Sequence, residues 1–243
     1  MSALIAGHFI LGSISVAHAL YRILKPYRVG IYGPSQTGKT TLDQYMTVPG
    51  DVDTIPIHFR TMHNLDPKTK RYKMPKVERK LLRWKKEKKA ISNTDIAGQS
   101  QFRNLWVEDM FGRNVEVVIY MVDHRVLNNF QFRLDAVAGF EYLIDNILNV
   151  NRTKVISRKA RKKGRKYQPK LFCLMINKMD LWWDSTAENL WNLNLKKEHP
   201  IVLPFRNGLK RLRKAGIRAD IHSISAQHGI NVEGVMMHLI DSM

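Results

Sequence analysis

Two almost wholly apolar runs of strand length stand out along the chain, residues 115–122 (VEVVIYMV) and residues 171–176 (LFCLMI). Their length and β-branched content predict strands buried on both faces, as in a parallel sheet. Val29 and Ile31 alternate with polar or small residues just ahead of a glycine-rich stretch and predict an earlier strand, and residues 221–224 predict a last one. Elsewhere the period changes. Phe132, Val137, Phe140, Leu143, Ile144 and Leu148 recur at helical spacing and predict a helix over residues 130–150. Shorter helices are expected over residues 42–46, 203–214 and 232–240, the second of them basic. Strands alternating with helices in this way predict an α/β fold of three layers, a mostly parallel central sheet with helices on both faces. No internal repeat is visible.

Other stretches are less regular. A Pro49-Gly50-Asp51 turn leads into residues 51–76, which are polar, contain Pro56, Pro67 and Pro75 and show no steady period, so a long mobile loop is expected. Residues 77–86 and 88–94 suit a hairpin around Glu87, and residues 76–89 suit a basic helix almost as well. At the other end, residues 2–21 carry no charge, and Arg22, Lys25 and Arg28 follow. That length is enough to span a bilayer with the positive flank on the cytoplasmic side. Yet His8, Gly12, Ser15, His18 and Arg22 draw a small or polar stripe down one helical face. A transmembrane anchor, an interfacial amphipathic helix and a helix docked on protein therefore all remain open. No basic region precedes the apolar run, which argues against a cleaved signal peptide. Pro26 stops the helix, dividing the chain into residues 1–25 and a folded domain over residues 26–243.

Charge sharpens this division. The chain of 243 residues carries a formal net charge of +19. Residues 60–90 hold thirteen Lys and Arg against three acids, and residues 153–170 hold nine with no acid. These windows account for the whole excess, so an electroneutral domain carries two basic insertions. They suit acidic lipid headgroups, nucleic acid or an acidic protein surface, or serve as solvated loops that aid solubility. A lone cysteine, Cys173, excludes an internal disulfide framework and fits a reducing compartment. In mid-strand it is expected to be inert. The nine histidines show no metal-type spacing: His58 and His63 fall in the polar loop and His222 alternates with core positions. Trp182, Trp183 and Trp191 are read as packing residues.

The chemistry lies at the ends of the expected strands. Residues 27–41, YRVGIYGPSQTGKTT, match G-x-x-x-x-G-K-S/T at Gly33, Gly38, Lys39 and Thr40. Such a loop turns backbone N–H groups inward onto phosphate oxygens, at torsions that a Cβ resists, and a helix amino end adds its positive dipole. The amides of Ser35, Gln36, Thr37, Gly38 and Thr41 are the expected cradle. Lys39 is placed to reach the β and γ phosphates, and the Thr40 hydroxyl to hold Mg²⁺. Three further motifs follow in order: Asp95-Ile96-Ala97-Gly98-Gln99 reads D-x-x-G-Q, Asn177-Lys178-Met179-Asp180 reads N-K-x-D, and Ser225-Ala226 closes the last strand. Each falls at the carboxyl end of a strand, where open α/β sheets place their ligands.

Taken jointly, these motifs make residues 27 onward resemble the Ras-like family of small GTPases, and the V-D within MVDHR, residues 121–125, is loosely similar to its Arf-like branch. The resemblance implies a slow hydrolase of GTP, dependent on Mg²⁺, that signals to an effector protein through nucleotide-dependent loops. By its motifs Asp95 would hold a water on Mg²⁺, the Gly98 N–H would meet the γ-phosphate, and Gln99 would orient the attacking water. Asp180 would accept from guanine N1–H and N2–H₂, Asn177 would support the base site, Lys178 would cover the base, and the Ala226 N–H beside Ser225 would donate to guanine O6. Asp180 also suits a helix N-cap. The sequence departs from the family pattern in three places. Lys39 and Asp95 stand 56 positions apart, an excess that coincides with the first basic window. The threonine that closes on Mg²⁺ is therefore not fixed by spacing, Thr61 being the first choice and Thr54 the second. Pro34 and Ser35 replace the small residues common in the loop, and no side chain is identifiable as an arginine finger, Arg103 just beyond Gln99 being a candidate. An anionic membrane is the expected partner, with the chain on its cytoplasmic face; nucleic acid or the ribosome is the alternative.

Overall fold

The computed structural model describes residues 27–47, 69–82, 85–94, 96, 98–149 and 167–242. The N-terminal apolar stretch, Thr54, Thr61, Asp95 and most of the second basic window lie outside these residues. Within them, six strands form one sheet: β1 (Tyr27–Tyr32), β2 (Thr69–Leu82), β3 (Lys85–Thr94), β4 (Val117–Val122), β5 (Leu171–Ile176) and β6 (Arg218–Ser223). Their spatial order is β2-β3-β1-β4-β5-β6. All neighbours are parallel except β2 and β3. The sheet is thus the mostly parallel one expected, with β1 at its centre.

The two apolar runs show why this sheet is buried on both sides. Side chains alternate across a strand. Val118, Tyr120 and Val122 of β4, with Phe172, Leu174 and Ile176 of β5, enter one core, and Val117, Ile119 and Met121, with Leu171, Cys173 and Met175, enter the other. The second core is closed by α1 (Lys39–Thr47) through Leu42, Tyr45 and Met46, and by the C-terminal helix Val232–Asp241 through Val235, Met236 and Leu239. On the opposite face lie α2 (Arg103–Gly112), the single turn α3 (Arg125–Asn128), α4 (Phe130–Leu148), α5 (Ser185–Asn192) and α6 (Arg206–Lys214); the C-terminal helix is α7. Phe140 of α4 stacks edge-on against Phe172 at 5.6 Å and Phe205 at 5.0 Å. Among the described residues no helix is long and apolar enough to cross a membrane.

The reading of residues 51–76 as one irregular loop is corrected over residues 69–76, which belong to β2. Antiparallel pairing with β3 is carried by backbone hydrogen bonds, which a polar sequence sustains without an apolar period. Pro75 falls inside a register shift between Lys73 and Glu78 on the edge strand, a position where a missing N–H is tolerated. The hairpin alternative therefore holds and the basic helix does not. Glu87 lies within β3, paired with Arg79, and the pairing runs on to Leu82 and Lys85. Much of the first basic window is consequently the edge of the main sheet.

Candidate functional site

The turn after β1 has the shape the glycines require. Gly33 and Gly38 adopt φ of 139° and 92°, and Gln36 sits in the left-handed region at 64°. A Cβ on Gly38 would stand 2.1 Å from Asn177 Nδ2. The Gly38 carbonyl accepts from Leu42 N–H at 2.9 Å, which sets the amino end of α1 directly behind the loop. Thr40 and Thr41 lie half-buried in its first turn. The Lys39 ammonium is buried and donates to Gly33 O at 2.9 Å and Pro34 O at 2.7 Å, while Thr37 Oγ1 bonds Pro34 O at 3.1 Å. These residues fit a phosphate cradle: a compact turn, a cation at its centre and a helix amino end behind it.

Gly98 is drawn against this turn. A Cβ there would lie 2.4 Å from the Pro34 carbonyl carbon and 2.5 Å from Gly33 O, so only glycine allows the approach. Gln99 follows at the rim of a cleft of about 450 Å³ bounded by Pro34, Ser35, Gln36, Arg125 and Phe132. The two chain segments that the resemblance assigns to opposite sides of a γ-phosphate are therefore adjacent.

On the far side of the turn, Asn177 joins three motifs. Its Nδ2 donates to Thr37 O at 2.8 Å, and its Oδ1 accepts the Ala226 N–H at 2.8 Å. The Ala226 amide assigned to a base oxygen is thus engaged with Asn177. Ser225 N–H bonds Ile230 O at 3.1 Å, while its buried Oγ has no hydrogen-bond partner among the described residues. Lys178, in the left-handed region at φ 56°, donates to Gln36 O at 3.1 Å. Asp180 lies in the middle of a short 3-10 turn, Met179–Leu181, with its carboxylate part-exposed and His228 Nε2 at 3.9 Å. It does not cap a regular helix; Asp184 does, accepting Ala187 N–H for α5.

Asp123 and Arg125, which lie within MVDHR and have no site role assigned from the sequence, also stand beside the turn. Asp123 ends β4, has no exposed side-chain surface, and pairs with Arg125 Nη2 and Lys178 Nζ at 2.8 Å each. Burial alone pushes its carboxyl upward, but the hydrogen bonds from Arg125 and Lys178 outweigh this and hold it below the usual carboxylate range. Arg125 Nη2 also donates to Ser35 O at 3.0 Å. One buried carboxylate thus aims two cations at consecutive carbonyls of the phosphate turn. The available signal was position: Asp123 is the polar residue that closes an apolar strand at its carboxyl end.

Arg103 is placed otherwise. Its Nη2 binds Asp135 Oδ1 at 2.5 Å and Asp135 O at 2.9 Å, tying α2 to α4. The histidines hold a second difference, because folding brings Asp220, His222 and His238 within 4.8 Å of one another, a cluster that spacing along the chain conceals. Arg218 Nη2 stands 2.9 Å from both Asp220 Oδ2 and His238 Nε2, so this cluster already contains a cation. Burial pushes the Cys173 thiol up, consistent with an inert core residue.

The turn after β1, Gly98, and the Asn177–Asp180 and Ser225-Ala226 segments are thus grouped at one end of a mostly parallel α/β sheet. No protein-family model and no curated protein matches the sequence. Among solved structures, the chain is similar to the Arl6 (BBS3) small GTPase from Trypanosoma brucei with a bound nucleotide analogue, GppNp. Identity is 16%, covering 90% of this chain and 97% of that one, at a TM-score of 0.49. It is also similar to a bacterial selenocysteine-specific elongation factor, EF-Sec, at 18% identity and a TM-score of 0.49, covering 90% of this chain and 29% of that one. The chain therefore spans under a third of the elongation factor's length.

Proposed function

We propose that the protein is a GTP-binding and hydrolysing switch. One observation carries the reading: Asn177 ties the phosphate turn at Thr37 to the Ala226 loop, with Lys178 and Asp180 on the same segment. A base site and a phosphate site are thereby held at fixed spacing across one residue. Asp180 selects guanine because its two acceptors match the N1–H and N2–H₂ pair, which adenine lacks. Lys39 and the α1 amino end hold the phosphates, and Thr40 with Asp95 holds the Mg²⁺ that offsets phosphate charge. Gln99 orients water, and Thr61, or Thr54 in its place, closes on the metal. Turnover is slow without an activator, and an effector protein reads the GTP-bound loops. Fluorescent GDP and ADP distinguish the base site. GDP should bind at least a hundredfold tighter, and Asp180→Asn should move the preference to xanthine nucleotides. Equal binding of GDP and ADP would remove guanine from the reading.

The same proposal places the switch at the cytoplasmic face of an anionic membrane, held by residues 1–25 and by the basic windows. The support is the charge distribution, +19 gathered in two windows, with about 1 kcal/mol expected per well-placed Lys or Arg. Co-sedimentation with phosphatidylserine vesicles should weaken on deletion of residues 153–170 and again on starting the chain at Tyr27. Salt-sensitive RNA binding lost with the same deletion, without vesicle binding, would favour the nucleic-acid alternative instead.

A further inference from the structure

Resting on the GTPase reading above, we propose that Arg125 is an arginine finger supplied in cis, a catalytic residue that stabilises charge on the transferring phosphoryl group. The guanidinium is built into the phosphate turn rather than lying loose on the surface. Its Nε and Nη2 grip both oxygens of Asp123 at 2.8–3.1 Å, and Nη2 also reaches Ser35 O at 3.0 Å. Its carbon centre stacks 4.0 Å from the centroid of the Phe132 ring. Three directions of contact, from β4, from α4 and from the turn itself, fix its plane. Among the described residues nothing bonds its Nη1.

The location is as informative as the support. Arg125 borders the same cleft as Gln99 and Gly98, and that cleft is walled by Pro34 and Ser35 of the turn. Gln99 and Arg125 both line the cleft, with Gln131 and Asp135 also on its wall. Phosphoryl transfer spreads negative charge over the equatorial oxygens, and fixed cations are the main catalytic device available to the protein. In GTP hydrolysis the water oxygen bonds to the γ-phosphorus as the bond to the β–γ bridging oxygen breaks. The electron pair leaves with GDP and the water's proton passes to the phosphate released. Arg125 donates to phosphoryl oxygens and exchanges no proton. The backbone carbonyl of Ser35 accepts from Nη2 and helps to aim the guanidinium.

A purely structural role would make Arg125 a strap that stiffens the turn, and the two roles separate kinetically. Single-turnover GTP hydrolysis and GDP affinity are measured on the full chain and on Arg125→Ala and Arg125→Lys, with thermal midpoints as the folding control. The expected result is on the order of a hundredfold slower hydrolysis in the alanine variant, with GDP affinity within threefold of the parent and loss of the GDP–aluminium fluoride complex. The lysine variant keeps the charge without the fork and should recover only part of the rate. Hydrolysis within threefold of the parent in the alanine variant, or equal losses in GDP affinity and rate in both variants, would overturn the proposal. A parent chain that binds no guanine nucleotide would overturn the GTPase reading itself, and this proposal with it.

Discussion

At the scale of single residues, two helical glycines show how surroundings decide the sign of one substitution. Gly208 in α6 is buried, and a Cβ there would lie 2.5 Å from Ile144 Cδ1 and from Phe140 Cε1, with Glu141 Oε1 at 3.0 Å. Gly234 in α7 has nothing within 4 Å of the same position. Replacing a helix-interior glycine by alanine gains about 0.5–1 kcal/mol from reduced backbone entropy. At Gly234 that gain stands alone. At Gly208 it is opposed by overpacking against Phe140, whose ring is held by Phe172 and Phe205, at a cost of about 1–3 kcal/mol. Denaturant unfolding should therefore show Gly234→Ala more stable than the parent by about 0.5–1 kcal/mol and Gly208→Ala less stable by about 1 kcal/mol. A stabilised Gly208→Ala would mean that α4 and α6 separate more easily than their packing implies.

Among the elements, α5 and the 3-10 turns around it surround His199, and their packing makes a pH-dependent joint. The ring lies 5.4 Å from Trp182 and 5.6 Å from Trp191, and its Nδ1 accepts the Ile201 N–H at 3.2 Å. The bond requires the neutral imidazole, and burial pushes its pKa below the ordinary value, with Asp184 opposing weakly. For a base whose folded pKa is depressed, the stability contribution is complete above the unfolded value of about 6.5 and is lost as pH falls below it. Unfolding free energy should decline from about pH 6.5 downward, and His199→Asn should reduce that slope. His124 and His222, both also depressed, leave a remainder of the same sign. An unchanged slope would place the His199 ring in solvent contact. The elements differ in how plainly the sequence announces them. β4 and β5 are legible because burial on both faces leaves no polar phase. α2 is not, because Leu105, Trp106, Val107, Met110 and Phe111 spread over a broad buried face instead of a stripe, and Arg103 and Asp109 interrupt it with ion pairs. β2 escapes for the opposite reason, having Lys and Arg on an edge strand whose pairing is backbone-made. In the site, Gly33, Gly38, Asn177 and Asp180 were readable because backbone shape and base chemistry restrict each position to few residues. Asp123 and Arg125 answer to each other, to Lys178 and to the Ser35 carbonyl, a constraint that exists after folding.

For the molecule as a whole, the site is a place where segments far apart in sequence converge through polar contacts. Thr37, Asp123, Asn177, Lys178 and Ala226 are linked there by hydrogen bonds and ion pairs rather than apolar contact. β1, β4, β5 and the end of β6 thus meet at one rim, and a nucleotide spanning the turn and the Asp180 segment would bind only when all are in place. Linkage then converts affinity into global stability. At a thousandfold excess over its dissociation constant, a ligand specific to the folded state adds about 4 kcal/mol. For a domain of this size about 2–4 °C accompanies each kcal/mol, so GDP should raise the unfolding midpoint by roughly 8–16 °C. ADP at the same concentration should leave it unchanged. Asp180→Asn should abolish the GDP shift while leaving the midpoint without nucleotide close to that of the parent, since the Asp180 carboxylate is part-exposed and its ion-pair contact with His228 is long, at 3.9 Å. A midpoint that rises equally with GDP and ADP would mean that the turn binds phosphates without reading the base.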